Sequence, residues 1–233
     1  MLKLLTYPPA FGLPSASPFG IKAIFLLQLT GREWEIKVKS DPRKAPMGKF
    51  PMLIDGETQI PDSENIRQYL EQKFDMDFDK GLSAEQRAVS RALIRMLDEH
   101  LYFAVVSDRW LNDNNWEILR GIFFDMVPGF IRGFVTGKIR AKVRSDLIAQ
   151  GLARHSPEAQ AQRAGQDLKA VSDILGDKPF LFGSEPSAAD ASAVAMISAI
   201  AAMPTETSLC LIVRENEPLM AYLERAQAYL TPA

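Results

Sequence analysis

Eight of the chain's fifteen prolines fall in its first 61 residues. Proline fixes φ and removes a backbone donor, so it opens helices and ends strands but does not continue either. The start of the chain is therefore cut into short elements. Leu2 to Tyr7 is an apolar run stopped by Pro8-Pro9 and reads as a strand. Ser17-Pro18 opens a helix that runs to about Thr30, because serine is a good N-cap and proline suits the first helical position. Ile21, Ile24, Phe25, Leu27 and Leu29 supply its buried face, and Gly31 ends it. Trp34 to Val38 alternates as a second strand. Met52 to Ile54 and Thr58 to Ile60 flank Asp55-Gly56, the strongest short hairpin signal. Asp62 or Ser63 then caps a helix whose face includes Ile66, Tyr69, Leu70 and Phe74.

Asp75 to Leu82 is acidic, contains Gly81 and reads as a linker. Beyond it every pattern is helical. Ser83-Ala-Glu-Gln86 is a capping box, followed at helical spacing by Val89, Leu93, Met96, Leu97 and Leu101. A second helical region runs from Trp116 to about Arg154, with a break near Pro128-Gly129. Ser156-Pro157 starts another helix that stops at Gly176. Ser187-Ala-Ala-Asp190 is a box of the same kind before an alanine-rich helix, and Pro218 to Leu230 forms the last helix.

Composition narrows the chemistry. The single cysteine, Cys210, forbids an intramolecular disulfide and a cysteine-rich metal site, and we assign it to the core. Two histidines, His100 and His155, leave few sources of imidazole for a triad or a metal centre. The net charge of −2 gives no electrostatic reason to expect nucleic acid or an anionic membrane. The longest near-apolar stretch, Ala191 to Met203, is shorter than the ~20 residues a spanning helix needs. The N-terminal apolar run is too short for a signal sequence. These features are those of a soluble protein of a reducing compartment, the cytoplasm.

The ordered set of motifs resembles a known superfamily. A βαβ unit, then Gly48-Lys-Phe-Pro51 and Asp62-Ser63 at a helix start, resemble the thioredoxin-like N-terminal domain of glutathione transferases. Leu181 to Asp190 resembles the turn and box of that superfamily's all-helical C-terminal domain. Ser15-Ala-Ser-Pro-Phe19, Gly81 to Arg87 and Gly151 to Ser156 are similar to its metaxin and failed-axon-connections branch. The resemblance implies an α/β thioredoxin-like domain over residues 1–76 that binds glutathione, and an all-α domain over residues 83–233. It also implies a homodimer.

In the family, the proline before the hairpin strand is cis, and the residue before it pairs its backbone with the tripeptide like an added strand. That role falls to Phe50 before Pro51. Asp62 and Ser63 offer a carboxylate, a hydroxyl and helix N-terminal N–H groups to the γ-glutamyl end. Lys49, or Lys44, is placed to meet the glycyl carboxylate. Without the resemblance, Pro51 shapes a turn and Asp62-Ser63 caps a helix.

A free thiol has a pKa of about 8.5, so only ~3% is thiolate at pH 7. Lowering it by two units takes ~2.7 kcal/mol, close to what one charged hydrogen bond and a helix N-terminus supply. Three hydroxyls compete to donate that bond: Ser17, then Tyr7, then Ser15 in a flexible loop. Ser17-Pro-Phe-Gly20 resembles the Cys-Pro-x-Cys of glutaredoxins with both cysteines gone, which excludes dithiol exchange at this site. Tyr7 reads equally as a core strand residue.

Tyr102, Phe103, Val106 and Trp110 form a stripe that lines an apolar second-substrate pocket or, as such stripes more often do, packs in the core. The run Arg132, Lys138, Arg140, Lys142 and Arg144, with Phe130, Ile131, Phe134 and Val135, reads as a solvated helix face. His100 reads as a structural partner and His155 as a polar residue at a helix junction. The first functional reading is a glutathione transferase acting on a small apolar electrophile, with no metal. The alternatives are a non-catalytic binding or adaptor protein, and a glutathione-dependent peroxidase or ether-cleaving enzyme.

Overall fold

The computed structural model describes residues 1–125 and 127–231. Four strands, β1 (Leu2–Thr6), β2 (Trp34–Val38), β3 (Met52–Asp55) and β4 (Thr58–Pro61), form one sheet in the order β2-β1-β3-β4. β1 and β2 are parallel, joined by helix α1 (Pro18–Leu29), and the other pairs are antiparallel. Leu4 lies opposite both Ile36 and Leu53, so the centre of the sheet is apolar. The β3–β4 turn is Asp55-Gly56, with Gly56 at φ 60°, where a side chain is disfavoured. α2 (Ser63–Phe74) follows and packs back on the hairpin, where Tyr69 donates a 2.5 Å hydrogen bond to Asp55.

The helices are α3 (Ala84–Met96), α4 (Tyr102–Leu111), α5 (Asp113–Phe123), α6 (Gly129–Gln150), α7 (Pro157–Leu175), α8 (Ala188–Ala201), α9 (Ser208–Arg214) and α10 (Glu217–Ala226). The expected capping box of Ser83 and Gln86 starts α3. One wide π turn, Leu97–Leu101, joins α3 to α4 and keeps Leu97, Leu101, Ala104 and Val105 on the buried side. The region expected from Trp116 to Arg154 is two helices beginning at Asp113, parted near Pro128. The last helix ends at Ala226 and continues as a short 3₁₀ turn. Helix α9, capped by Thr207, has no counterpart in the sequence reading.

α1 and α8 are apolar on nearly every side, and each packs against the other at the centre of one continuous core. Lys22 of α1 is fully buried, with Nζ 2.7 Å from Asp98 of the π turn and 3.5 Å from Glu64 of α2. This joins the sheet half to the helical half. His100 pairs with Asp167 at 2.5 Å, His155 closes a helix junction, and Cys210 is buried. Arg140 departs from a solvated face: it donates to the carbonyls of Trp110 and Leu111 at 2.8 and 2.9 Å and caps α4. On the same helix Phe130 and Phe134 are exposed, so that face is more apolar at its start than a basic, solvated helix. Among the described residues no helix is long and apolar enough to cross a membrane.

Candidate active site

A cavity of about 640 Å3 lies between the sheet half and the helices. On the sheet side its wall carries Tyr7, Ser17, Lys49, Phe50, Pro51 and Asp62. Tyr102, Val106, Arg109, Trp110, Phe123 and Phe124 line the helical side. Six of the eight residues expected at a glutathione site thus meet in one place. Ser15 and Ser63 are buried and do not line the cavity.

Ser17 is the N-cap of α1, and its Oγ accepts from the Gly20 N–H at 3.4 Å. A hydroxyl that accepts there still has its proton to donate. The helix start behind it is held by a small polar knot. The Ser15 and Thr6 hydroxyls share a 2.8 Å hydrogen bond, and Ser15 Oγ accepts from the Ser17 N–H at 3.1 Å. Ser15, expected in a flexible loop, is fully buried, with its oxygen committed to these partners. The knot needs Gly20: a Cβ there would lie 2.2 Å from Thr6 Oγ1 and 2.5 Å from Ser15 Oγ.

Tyr7 follows the end of β1, half-buried, with its ring edge-on to Phe50 at 5.4 Å. Burial, with Tyr102 and Asp41 nearby, pushes its pKa up to about 12, so the hydroxyl stays protonated.

The Phe50–Pro51 bond is cis. The backbone N–H and C=O of Phe50 find no backbone partner among the described residues. The Pro51 carbonyl accepts from the Asp62 N–H at 3.2 Å, which ties the hairpin entrance to the start of α2. Asp62 caps α2 by accepting from the N–H groups of Glu64 and Asn65 at 2.8 and 3.3 Å. It does so at φ 74° and ψ 137°, a strained backbone conformation outside the left-handed helical region.

The helical wall is set by α4 and α5. Asn112 caps α5 immediately after α4 ends, and Trp110, Trp116 and Phe124 cluster at 5.5 to 6.4 Å between ring centres. Tyr102, Val106 and Trp110 of the expected stripe do line the cavity, whereas Phe103 packs on the core. Arg109, Phe123 and Phe124 were not foreseen from sequence. Val105 and Arg109 are four residues apart on one buried face, so a charge within an apolar helical stripe was the available signal for Arg109.

The arrangement pairs an open backbone, a carboxylate and an N-cap hydroxyl with an apolar chamber. Such a site can hold a short peptide-like anion beside a small apolar molecule.

Residues 18–115 match the glutathione S-transferase N-terminal domain model, and residues 164–226 match the C-terminal domain model. The isoprene-epoxide–glutathione S-transferase of Rhodococcus sp. (strain AD45) is 33% identical over 235 residues, 97% of each chain. Failed axon connections of Drosophila melanogaster is 32% identical over 198 residues, which are 80% of this chain and 47% of that protein. The crystal structure of the beta-etherase LigF from Sphingobium sp. strain SYK-6 superposes with a TM-score of 0.68 at 19% identity, covering 97% of this chain and 95% of that one. With two matched domain models and a relative alike over almost its whole length, the chain belongs to the glutathione S-transferase superfamily.

Proposed function

We propose that the protein binds glutathione and activates its thiol for addition to a small apolar electrophile, with epoxides as the first class to test. The observation that carries this reading is the shared cavity, in which Ser17, Phe50 and Asp62 face Val106, Trp110 and Phe124 across one space. The likeness to a transferase named for an isoprene epoxide supports the choice of electrophile.

In this mechanism the tripeptide lies along Phe50, whose open N–H and C=O pair with its cysteinyl backbone as an added strand would. Asp62 receives the γ-glutamyl ammonium, and the N-terminal end of α2 at Ser63 favours its carboxylate. Lys49 meets the glycyl carboxylate. Ser17 Oγ donates to the sulfur while it still accepts from Gly20, and the thiol proton leaves to solvent. The thiolate attacks a carbon of an electrophile held against the α4–α5 wall. For an epoxide the C–S bond forms as the ring C–O bond breaks, and the alkoxide takes a proton from water. Tyr7 is the second candidate donor: its hydroxyl stays protonated and it lines the same cavity beside Phe50. Ser15 is third, since its oxygen is shared between Thr6 and the Ser17 N–H. Residues 1–76 serve glutathione and residues 83–233 the electrophile. A cytoplasmic homodimer belongs to the same proposal.

Calorimetric titration with glutathione tests binding, and thiolate absorbance against pH tests activation. Binding at or below millimolar ligand is expected. Ser17→Ala is expected to raise the pKa of the bound thiol by about a unit, with Tyr7→Phe moving it less. No binding at millimolar glutathione would refute the enzyme reading and favour a binding or adaptor protein. That second reading draws support from the likeness to failed axon connections and the metaxins, whose names carry no reaction.

A further inference from the structure

Arg109 is a buried charge that this mechanism leaves unused. It is 5% exposed in the cavity wall, on the same helix as Tyr102 and Trp110. Its Nη1 donates to the Ala16 carbonyl at 2.9 Å and its Nη2 to the Ala199 carbonyl at 2.8 Å, while the Phe11 ring lies 5.5 Å from Cζ. Nε finds no hydrogen-bond partner, and no carboxylate among the described residues forms an ion pair with the guanidinium. Asp108, its neighbour in sequence, is turned to the Asn115 amide at 3.1 Å. Burial pulls the guanidinium down to about 10, with Tyr102 and the charge of Asp108 opposing it, so it is cationic at neutral pH.

Lys22 shows the usual arrangement in the same molecule: it too is fully buried, but it carries two carboxylates with it. A buried cation with no carboxylate bonded to it is costly to keep, and the cost is recovered when a negative group arrives beside it. The carbonyl that Arg109 grips belongs to Ala16, one residue before Ser17. The guanidinium therefore sits behind the helix start at which the thiol is to ionise.

We propose that Arg109 is a positioning residue that supplies the fixed positive charge for the bound thiolate and holds the Ala16–Ser17 segment against it. This rests on the glutathione reading. The charge acts through the low-dielectric wall, while Ser17 makes the hydrogen bond. The other titratable groups in the wall are Tyr7, Lys49, Asp62 and Tyr102. Burial holds both tyrosines protonated, so they add no competing charge near neutral pH.

The test is the pKa of glutathione's thiol in complex with the full chain, read by thiolate absorbance, with S-methylglutathione affinity as a control that involves no thiol ionisation. In Arg109→Met the pKa is expected to rise by about one unit, a tenfold loss of thiolate to neutral thiol ratio, with S-methylglutathione affinity kept within about twofold. Arg109→Gln, which retains a donor for one carbonyl, gives the same reading should the methionine variant not fold. Arg109→Lys keeps the charge and is expected to hold the pKa within about half a unit of the wild type. A wild-type pKa in the neutral variants would overturn the assignment and leave glutathione binding standing. A lysine variant that rises as far as the neutral ones would overturn the charge as the cause. A wild-type protein that binds neither ligand would remove the glutathione reading and this inference together.

Discussion

Two helices of this chain begin on serine and aspartate, and only one of those beginnings meets a cavity. At α8 the carboxylate of Asp190 is buried and accepts four hydrogen bonds: from the Leu181 and Ser187 N–H groups at 3.0 and 2.7 Å, and from the Ser187 and Tyr222 hydroxyls at 2.7 Å each. Its oxygens are fully used. At α2 the carboxylate of Asp62 caps the helix with one oxygen, lines the cavity and has capacity left for a ligand. The residue types are the same. Their places differ: Asp190 is the buried N3 residue of a capping box, whereas Asp62 is itself the N-cap and lines the cavity.

The sharpest way to break the comparison is Asp190→Ala. It would strand four buried donors, and each unsatisfied group costs about 1–3 kcal/mol. A loss of about 4 kcal/mol or more in urea unfolding is expected, enough to threaten folding of a typical domain. A loss below about 1.5 kcal/mol would mean that the knot is not what holds α8.

A smaller effect is expected from pH at α2. Burial pushes the Glu64 carboxyl up, but the Arg67 hydrogen bond and the charges of Lys22, Arg67 and Arg91 outweigh it and hold the pKa at about 2, against an ordinary 4.5. The ionised form is therefore favoured in the folded state. Its contribution is present above pH 4.5 and is lost as pH falls toward 2. Stability measured from pH 6 to 2.5 should fall by about 1–2 kcal/mol more in the wild type than in Glu64→Gln, allowing for the partial exposure of the arginines. Parallel curves for the two proteins would show that Glu64 contributes nothing to the junction.

The contrast between the two helix starts also marks what the sequence could reveal. Local chemistry announced both: capping residues, the Asp55-Gly56 turn and the alternation of Trp34 to Val38 act over a few residues, and the elements they mark lie within a few residues of their expected places. The α/β half of the site was legible for the same reason, since Ser17, Phe50, Pro51 and Asp62 each sit at an element boundary. The helical wall was not. Phe123 and Phe124 reach the cavity from the end of α5, which packs back against α4. Arg140 fixes the end of α4 from 30 residues away, and no local pattern encodes that. Ser15 was misplaced in a flexible loop because its burial depends on Thr6 and on the missing side chain of Gly20. Such three-way fits are invisible to periodicity.

The finest separation of structure from binding is available at Asp62 itself. Asp62→Ala removes the cap and puts a Cβ-bearing residue with no compensating bonds at φ 74°, so about 1–2 kcal/mol of stability should go. Asp62→Gly removes the same carboxylate but is relaxed at positive φ, and glycine is a tolerable N-cap, so its cost should be only a few tenths of a kcal/mol. Glutathione affinity should respond differently. A charged hydrogen bond to the γ-glutamyl ammonium is worth about 1.5–3 kcal/mol, so both variants should weaken binding by tenfold or more. Urea unfolding and calorimetry on the same two proteins resolve the question. If Asp62→Gly is as stable as the wild type and also binds glutathione as well, then Asp62 is a cap and nothing more. If it is stable but binding is lost, the oxygen that α2 does not use is the one the ligand needs.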